Sequence, residues 1–241
     1  MQVVYLVASL IGIAFCKNLP SFLEICSRSD PKILECLHRN IDTLRPMFLE
    51  GVPELQIPSL NPLLIDTVTF GDDAGIKVEF TNLRIYQLNN FTIEKLDLDL
   101  DNFKLDLTLT FPRLRILADC HITGKFLGLE LDGRGPADGN YTDVRGHFKG
   151  EGSRINTNGK DYVNIDKTLV DMEIGKAHLY FDRIFGDQED LNANTNKLIN
   201  DNIKAFIKEL KPVVAKIVEE FIGGITKRLF KKYPFDDLFK P

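Results

Sequence analysis

Tryptophan is absent, and only 4 cysteines occur in 241 residues. So few cysteines exclude a small scaffold stapled by disulfides. A chain of this length has no need of one, because roughly 70 to 75% of its unfolded surface is buried on folding. Histidine is equally scarce. His38, His121, His147 and His178 fall in no His-Glu-x-x-His pattern, and no Gly-x-Ser-x-Gly elbow occurs, which removes the zinc and hydrolase readings. Positive charge is not in surplus either: 30 basic against 35 acidic residues give a net charge of -5, whereas a nucleic-acid binder needs clustered Lys and Arg. With 44% hydrophobic and 27% charged residues, disorder, collagen and a multi-span membrane protein are excluded. The length fits one large domain or two modest ones.

Fragments of site motifs occur but are incomplete. Asp97-x-Asp99-x-Asp101-Asn102 imitates the start of a calcium loop, yet its sixth position is Asn102 rather than Gly and its twelfth is Thr108 rather than Glu. Gly133-x-Gly135 and Gly150-x-Gly152 lack the third glycine of a dinucleotide site and read as strand-end or bulge glycines. No catalytic residue, metal or cofactor is expected.

Met1 to Cys16 carries no charged side chain and contains an apolar run from Val3 to Phe15. The run is too short to span a bilayer comfortably. It ends in Ala14-Phe15-Cys16 before polar Lys17-Asn18, which reads as a secretory signal peptide over residues 1–16, leaving a single domain over 17–241. The leader lacks the usual Lys or Arg, so a hydrophobic first helix or an uncleaved anchor is the alternative. An oxidising compartment favours disulfides over metal thiolates. Cys26 and Cys36 are the expected bridge, and closing the loop between them is worth roughly 2.5 to 3 kcal/mol in the chain-entropy model. Cys120 is left over, sharing parity with Leu114, Ile116, Ala118 and Ile122, and is expected to be a buried, inert thiol. Asn90-Phe91-Thr92 and Asn140-Tyr141-Thr142 are sequons consistent with glycosylation at Asn90 and Asn140.

Ser29-Asp30-Pro31 signals the start of a first helix, carried by Ile33, Leu34, Leu37, Ile41, Leu44 and Phe48 and stopped by Gly51 and Pro53. From Leu63 to Phe181 the period changes to two, with runs such as Ile76-Val78-Phe80 and Phe103-Leu105-Leu107-Leu109-Phe111. Asp101-Asn102 and Asn158-Gly159 are turn dipeptides between such runs, so the sheet is antiparallel. Parity slips at Leu83 and Gly175 predict bulges. A last amphipathic helix runs from about Asn196 to Lys232, interrupted only by Pro212. At about 55 Å it exceeds the roughly 45 Å diameter of a compact sphere of this length, so the molecule is elongated. The apolar stripe of this helix needs a partner along its whole length, and the concave face of the sheet is the one available. The basic cluster Lys227, Arg228, Lys231 and Lys232 suits the negative end of the helix dipole.

These residues resemble the insect takeout and haemolymph juvenile-hormone-binding protein family throughout the mature region. The resemblance is carried by Asp30-Pro31 between Cys26 and Cys36, Leu44-Arg45-Pro46, Gly51-Val52-Pro53-Glu54-Leu55, Gly124-Lys125-x-x-Gly128-Leu129-x-Leu131-x-Gly133-x-Gly135, Phe181-Asp182-x-Ile184-Phe185, Asn196-Lys197-x-Ile199-Asn200-Asp201-Asn202, Leu210-Lys211-Pro212, and the closing Pro234-Phe235-Asp236-Asp237-Leu238-Phe239. It implies an α+β fold in which a long C-terminal helix is wrapped by a highly curved antiparallel sheet, preceded by a short N-terminal helix. That is an elongated tube related to the lipid-binding tubes of bactericidal permeability-increasing protein. The family's hormone carriers have a second disulfide between sheet and C-terminal helix. Cys120 has no second partner for one, which places the chain nearer the takeout branch and makes a generic hydrophobic ligand a safer expectation than juvenile hormone.

The implied function is a secreted carrier of a terpenoid, fatty acid or similar lipid in an internal apolar tunnel, without catalysis. Expected lining residues are Phe70, Val78, Phe80, Leu98, Leu107, Leu109, Ile116 and Phe126 of the sheet, with Ile203, Phe206, Ile207, Leu210, Val214, Ile217 and Phe221 of the long helix. Tyr86, Tyr141, Tyr162 and Tyr180 offer hydroxyls to a polar ligand head, and nothing in the sequence picks one. Solid core is the competing reading for each lining position, and with it a secreted protein-protein interaction module whose core is self-filled. Neither nucleic acid nor stable membrane insertion is expected; a protein receptor is left open.

Overall fold

The computed structural model describes residues 19–70, 76–126 and 129–241; the expected leader lies outside them. In chain order the elements are β1 (Cys26–Ser27), α1 (Ile33–Leu44), β2 (Leu63–Phe70), β3 (Ile76–Tyr86), β4 (Thr92–Asp99), β5 (Lys104–Phe126), β6 (Leu129–Thr157), β7 (Lys160–Phe181), α2 (Glu189–Asp201), α3 (Ile203–Lys232), α4 (Phe235–Leu238) and β8 (Phe239–Lys240). The six large strands form one antiparallel sheet in the order β2-β3-β5-β6-β7, with β4 pairing the start of β5. β6 has 29 residues, about 95 Å if extended at roughly 3.3 Å per residue. Strands of that length coil, and their concave face receives the helices.

The bend has a local cause. On β5 the inward residues switch parity between Phe111 and Leu114, on β6 between Tyr141 and Val144, and on β7 between Ile174 and Ala177. These residues face one another: Phe111 pairs Val144, which pairs Ile174, and Leu114 pairs Tyr141, which pairs Ala177. Three neighbouring strands therefore slip together at one level and their mutual register is preserved. The parity slip expected at Gly175 is real, but it is a corner shared by three strands rather than a register-shifting bulge. Pro112, which has no ladder donor to lose, lies at the corner on β5. Asp143 takes φ 55° there on β6, and a Cβ on Gly175 would come within 2.7 Å of the Asp143 Cβ. True register shifts occur between Thr81 and Arg84, next to Leu83 as expected, and at Glu151/Gly152.

Asn158 and Gly159 both take positive φ, as a tight hairpin turn requires. At Asp101-Asn102 the positive φ falls instead on Phe103, because Asp99 holds Asn102 through both its backbone and side-chain nitrogens. Gly133 and Gly135 are not bulge glycines. The segment Asp182–Phe185 crosses directly over them: a Cβ at either would lie within 2.5 Å of Ile184 or Asp182, and Arg134 N donates to Ile184 O at 2.7 Å. α1 starts where Asp30 accepts from Lys32 N and ends near Pro46, earlier than Phe48, which belongs to a short 3-10 turn.

The expected single helix from Asn196 begins earlier, at Glu189, and is broken at Asn202 (φ -115°, ψ 25°), whose side chain turns back to donate to Leu198 O. α3 then continues for 30 residues through Pro212, about 45 Å. The closing segment is stitched to the start of the chain. β8 pairs β1 in parallel, Cys26 and Cys36 are disulfide-bonded, Arg28 pairs Asp236 at 2.8 Å, and the guanidinium groups of Arg28 and Arg154 lie on the buried Phe235 ring.

β7 is an edge strand, and α2 closes part of that edge with amide side chains. Asn200 accepts from Leu179 N and donates to Leu179 O; Asn196 does the same at Phe181; Asn192 accepts from Phe185 N and donates to Gly186 O. Spaced four apart on one helix face, Asn196 and Asn200 replace a missing strand along β7, and Asn192 fastens the segment that follows it. Beyond the corner, Glu219 of α3 accepts from Val170 N and Lys211 pairs Asp171. Between these two fastenings, residues 172–178 of β7 make no hydrogen bond to α2 or α3 among the described residues.

Two outcomes are expected. Asn200→Ala removes both partners of Leu179 and should lower the unfolding free energy by about 2 kcal/mol, the cost of stranding half-buried backbone groups, measured by urea denaturation. Cys120 is buried in the core with Val78, Ile122 and Phe206, and burial pushes its thiol pKa up to about 12. A raised thiol pKa keeps the unreactive neutral form, so at pH 8 the Cys120 peptide should stay unlabelled by a thiol reagent until the protein unfolds, as followed by mass spectrometry.

Candidate functional site

A cavity of about 640 Å³ lies between the concave face of the sheet at the three-strand corner and the first half of α3. Its sheet wall is made by Phe80 and Leu83 of β3, Leu114, Ile116 and Ala118 of β5, Ala137, Gly139, Tyr141 and Val144 of β6, and Met172, Ile174, Ala177, Leu179 and Phe181 of β7. Its helix wall is Ile203, Phe206, Ile207, Leu210 and Val214. The space exists because small residues stand where the inward pattern usually places large ones. Ala118 pairs Ala137, and Ala177 pairs Tyr141. The exposed lining residues all belong to β7 and α3. The mouth is therefore the slit along residues 172–178, where no hydrogen bond joins strand to helix.

A tyrosine hydroxyl reaches the interior. The Tyr141 ring folds back over Gly139, where a Cβ would come within 2.7 Å of the ring and of its hydroxyl. The hydroxyl makes no hydrogen bond among the described residues, and burial, with the Asp138 charge adding to it, pushes its pKa up. It is a neutral donor with no acceptor among the described residues. At the end of the slit, the Lys211 hydrogen bond holds the Asp171 carboxyl below its ordinary range.

Of the residues expected from sequence to line a tunnel, Phe80, Ile116, Ile203, Phe206, Ile207, Leu210 and Val214 are brought together in this cavity. Val78 is buried in the core beside it, and Ile217 packs against the same core. Leu109 packs with Phe111, Leu114 and Val144 at the corner. Leu98, Leu107 and Phe221 are half-buried elsewhere along the sheet and α3. The side chains of Phe70 and Phe126 lie outside the described part. The β6 and β7 wall was missed, although Ala137, Gly139 and Ala177 carried a readable signal: small residues at inward parity. Of the other tyrosines, Tyr180 contributes to the outer edge of the cavity, whereas Tyr86 and Tyr162 do not line it. Asn90 is exposed beyond β3. Asn140 is half-buried, and its Nδ2, the atom a glycan would take, donates to Asp138.

Among the described residues no cluster of His, Cys, Asp or Glu is placed to hold a metal ion, and no helix is long and apolar enough to cross a membrane.

The sequence and the fold have known counterparts. The model of the haemolymph juvenile hormone binding protein family matches residues 3–240. The circadian clock-controlled protein daywake of Drosophila melanogaster is 25% identical over 238 residues, covering 93% of this chain and 89% of that protein. Its counterpart in Drosophila yakuba is 23% identical with the same coverage. Among solved structures, Takeout 1 of Epiphyas postvittana superposes with a TM-score of 0.73 at 18% identity, covering 86% of this chain and 96% of that one. That likeness identifies the fold as takeout-like, a curled antiparallel sheet around C-terminal helices. Because the family match runs through nearly the whole sequence, the chain belongs to the haemolymph juvenile hormone binding protein family.

Proposed function

We propose that the protein is a secreted carrier that shelters an elongated apolar small molecule, a terpenoid, fatty acid or similar lipid, in the cavity between sheet and α3. The observation that carries this reading is the cavity itself: about 640 Å³, within the range of small-molecule sites of roughly 300 to 1,000 Å³, with aliphatic and aromatic walls. Removing about fifteen methylene-sized groups from water contributes about 12 kcal/mol at roughly 0.8 kcal/mol each. After several kcal/mol of lost translational and rotational freedom, affinity in the micromolar range remains. The Tyr141 hydroxyl offers one hydrogen bond to an acceptor on the ligand. No catalytic group is needed for this work. Secretion is supported by the Cys26–Cys36 disulfide, by the apolar leader in the sequence and by the haemolymph origin in the family's description.

The competing reading, an interaction module with a self-filled core, is disfavoured by the same empty volume. Organic extraction of the purified protein followed by mass spectrometry separates the two, together with displacement of a neutral fluorescent probe by long-chain ligands. Recovery of no lipid and displacement by none of them would overturn the carrier reading. Ala177→Trp places an indole in the half-buried wall beside the slit and should weaken probe binding at least tenfold, while circular dichroism and the urea midpoint report an intact fold.

A further inference from the structure

The chain carries a net charge of -5, yet the lips of the slit are basic. Lys204, Lys208 and Lys211 recur at spacings of four and three along α3, beside the apolar stripe of Ile203, Ile207 and Leu210, and Lys176 stands on the β7 side. Lys211 is already committed to Asp171 at 2.7 Å. Lys176, Lys204 and Lys208 are exposed and form no ion pair among the described residues. The acidic lining residues are Asp138 and Glu173. Asp138 is neutralised, since both its oxygens accept from Arg115. Glu173 lies between inward-facing Met172 and Ile174, and Lys176 precedes inward-facing Ala177, so both point to the outer face of the sheet and offset one another.

An apolar cavity with the two unpaired ammonium groups of Lys204 and Lys208 at its described mouth matches one kind of ligand, an amphiphile whose tail fills the cavity and whose anionic head stops at the lip. Resting on the carrier reading, we infer that the ligand is a long-chain carboxylate held head-outward by Lys204 and Lys208 of α3. A neutral ester of the same chain gains the apolar burial but not the charge-assisted contacts. Exposure of the lip keeps the carboxylate partly hydrated, so the gain is modest and falls with salt.

The test is displacement of the neutral probe N-phenyl-1-naphthylamine from the full protein by hexadecanoic acid and by methyl hexadecanoate, below their aggregation limits, at pH 8 and in low and high salt. The acid is expected to bind about tenfold more tightly than the ester in low salt, with the ratio shrinking in high salt. In the Lys204→Gln/Lys208→Gln variant the ratio should fall to about one, and in Lys204→Glu/Lys208→Glu the ester should be preferred. Equal binding of acid and ester by the unaltered protein, or a ratio unmoved in both variants, overturns the inference while leaving the carrier reading intact. Failure of acid and ester alike to displace the probe defeats the carrier reading instead. Co-sedimentation with phosphatidylserine vesicles that depends on the lysines, without any preference for acid over ester, would assign the lip to a membrane surface and also overturn it.

Discussion

A strand edge packed against a helix must find partners for its backbone amides and carbonyls, and in this protein side chains supply them. β7 has the sheet on one side and only helices on the other. Asn196 and Asn200 close one stretch of its edge as a strand would, and Glu219 with the Lys211–Asp171 pair closes another. Where neither reaches, the edge makes no hydrogen bond to α3 among the described residues, and the exposed lining of the cavity lies there. The position of the mouth is thus a consequence of which edge residues have found hydrogen bonds. The same amides orient α2, and through the break at Asn202 they set the start of α3 and the placement of Phe206 and Leu210 over the sheet.

The cavity depends on two further conditions acting together. The corner at Pro112, Asp143 and Gly175 bends the sheet wall, and Ala118, Ala137 and Ala177 leave the concavity unfilled. A well-packed interior normally closes such space; the open volume here is bounded by residues that are themselves half-buried, including Ile203, Ile207, Leu210 and Val214. The core proper lies on either side of it, around Ile122 and Phe181 towards one end and around Val52 and Tyr233 towards the other.

Much of this was legible in the residue pattern. The period of two from Leu63 to Phe181, the amphipathic stripe from Ile203 onward and the Cys26–Cys36 pairing each rest on a local signal that the fold keeps. The helix face of the cavity followed from that stripe. The sheet face was only partly legible, because which inward residues meet a void and which meet solid core is decided by curvature, and curvature arises from three strands at once. Leu98 and Leu107 have the same alternation as Ile116 but lie away from the cavity. The helix break at Asn202 and the crossing of Asp182–Phe185 over Gly133 and Gly135 were similarly hidden, since each depends on partners far away in sequence. Asn196 and Asn200 read as a family motif in the sequence, and only their pairing with Leu179 and Phe181 gives that motif a physical meaning.

The shared parity change carries a constraint on how the sequence can vary. Shortening β6 by one residue at Asp143 would turn Tyr141 and everything before it to the opposite face unless β5 and β7 were shortened at the same height. Length changes at this level are tolerable only in concert across three separated segments, so natural variation in loop size should be free at the hairpin tips and locked here.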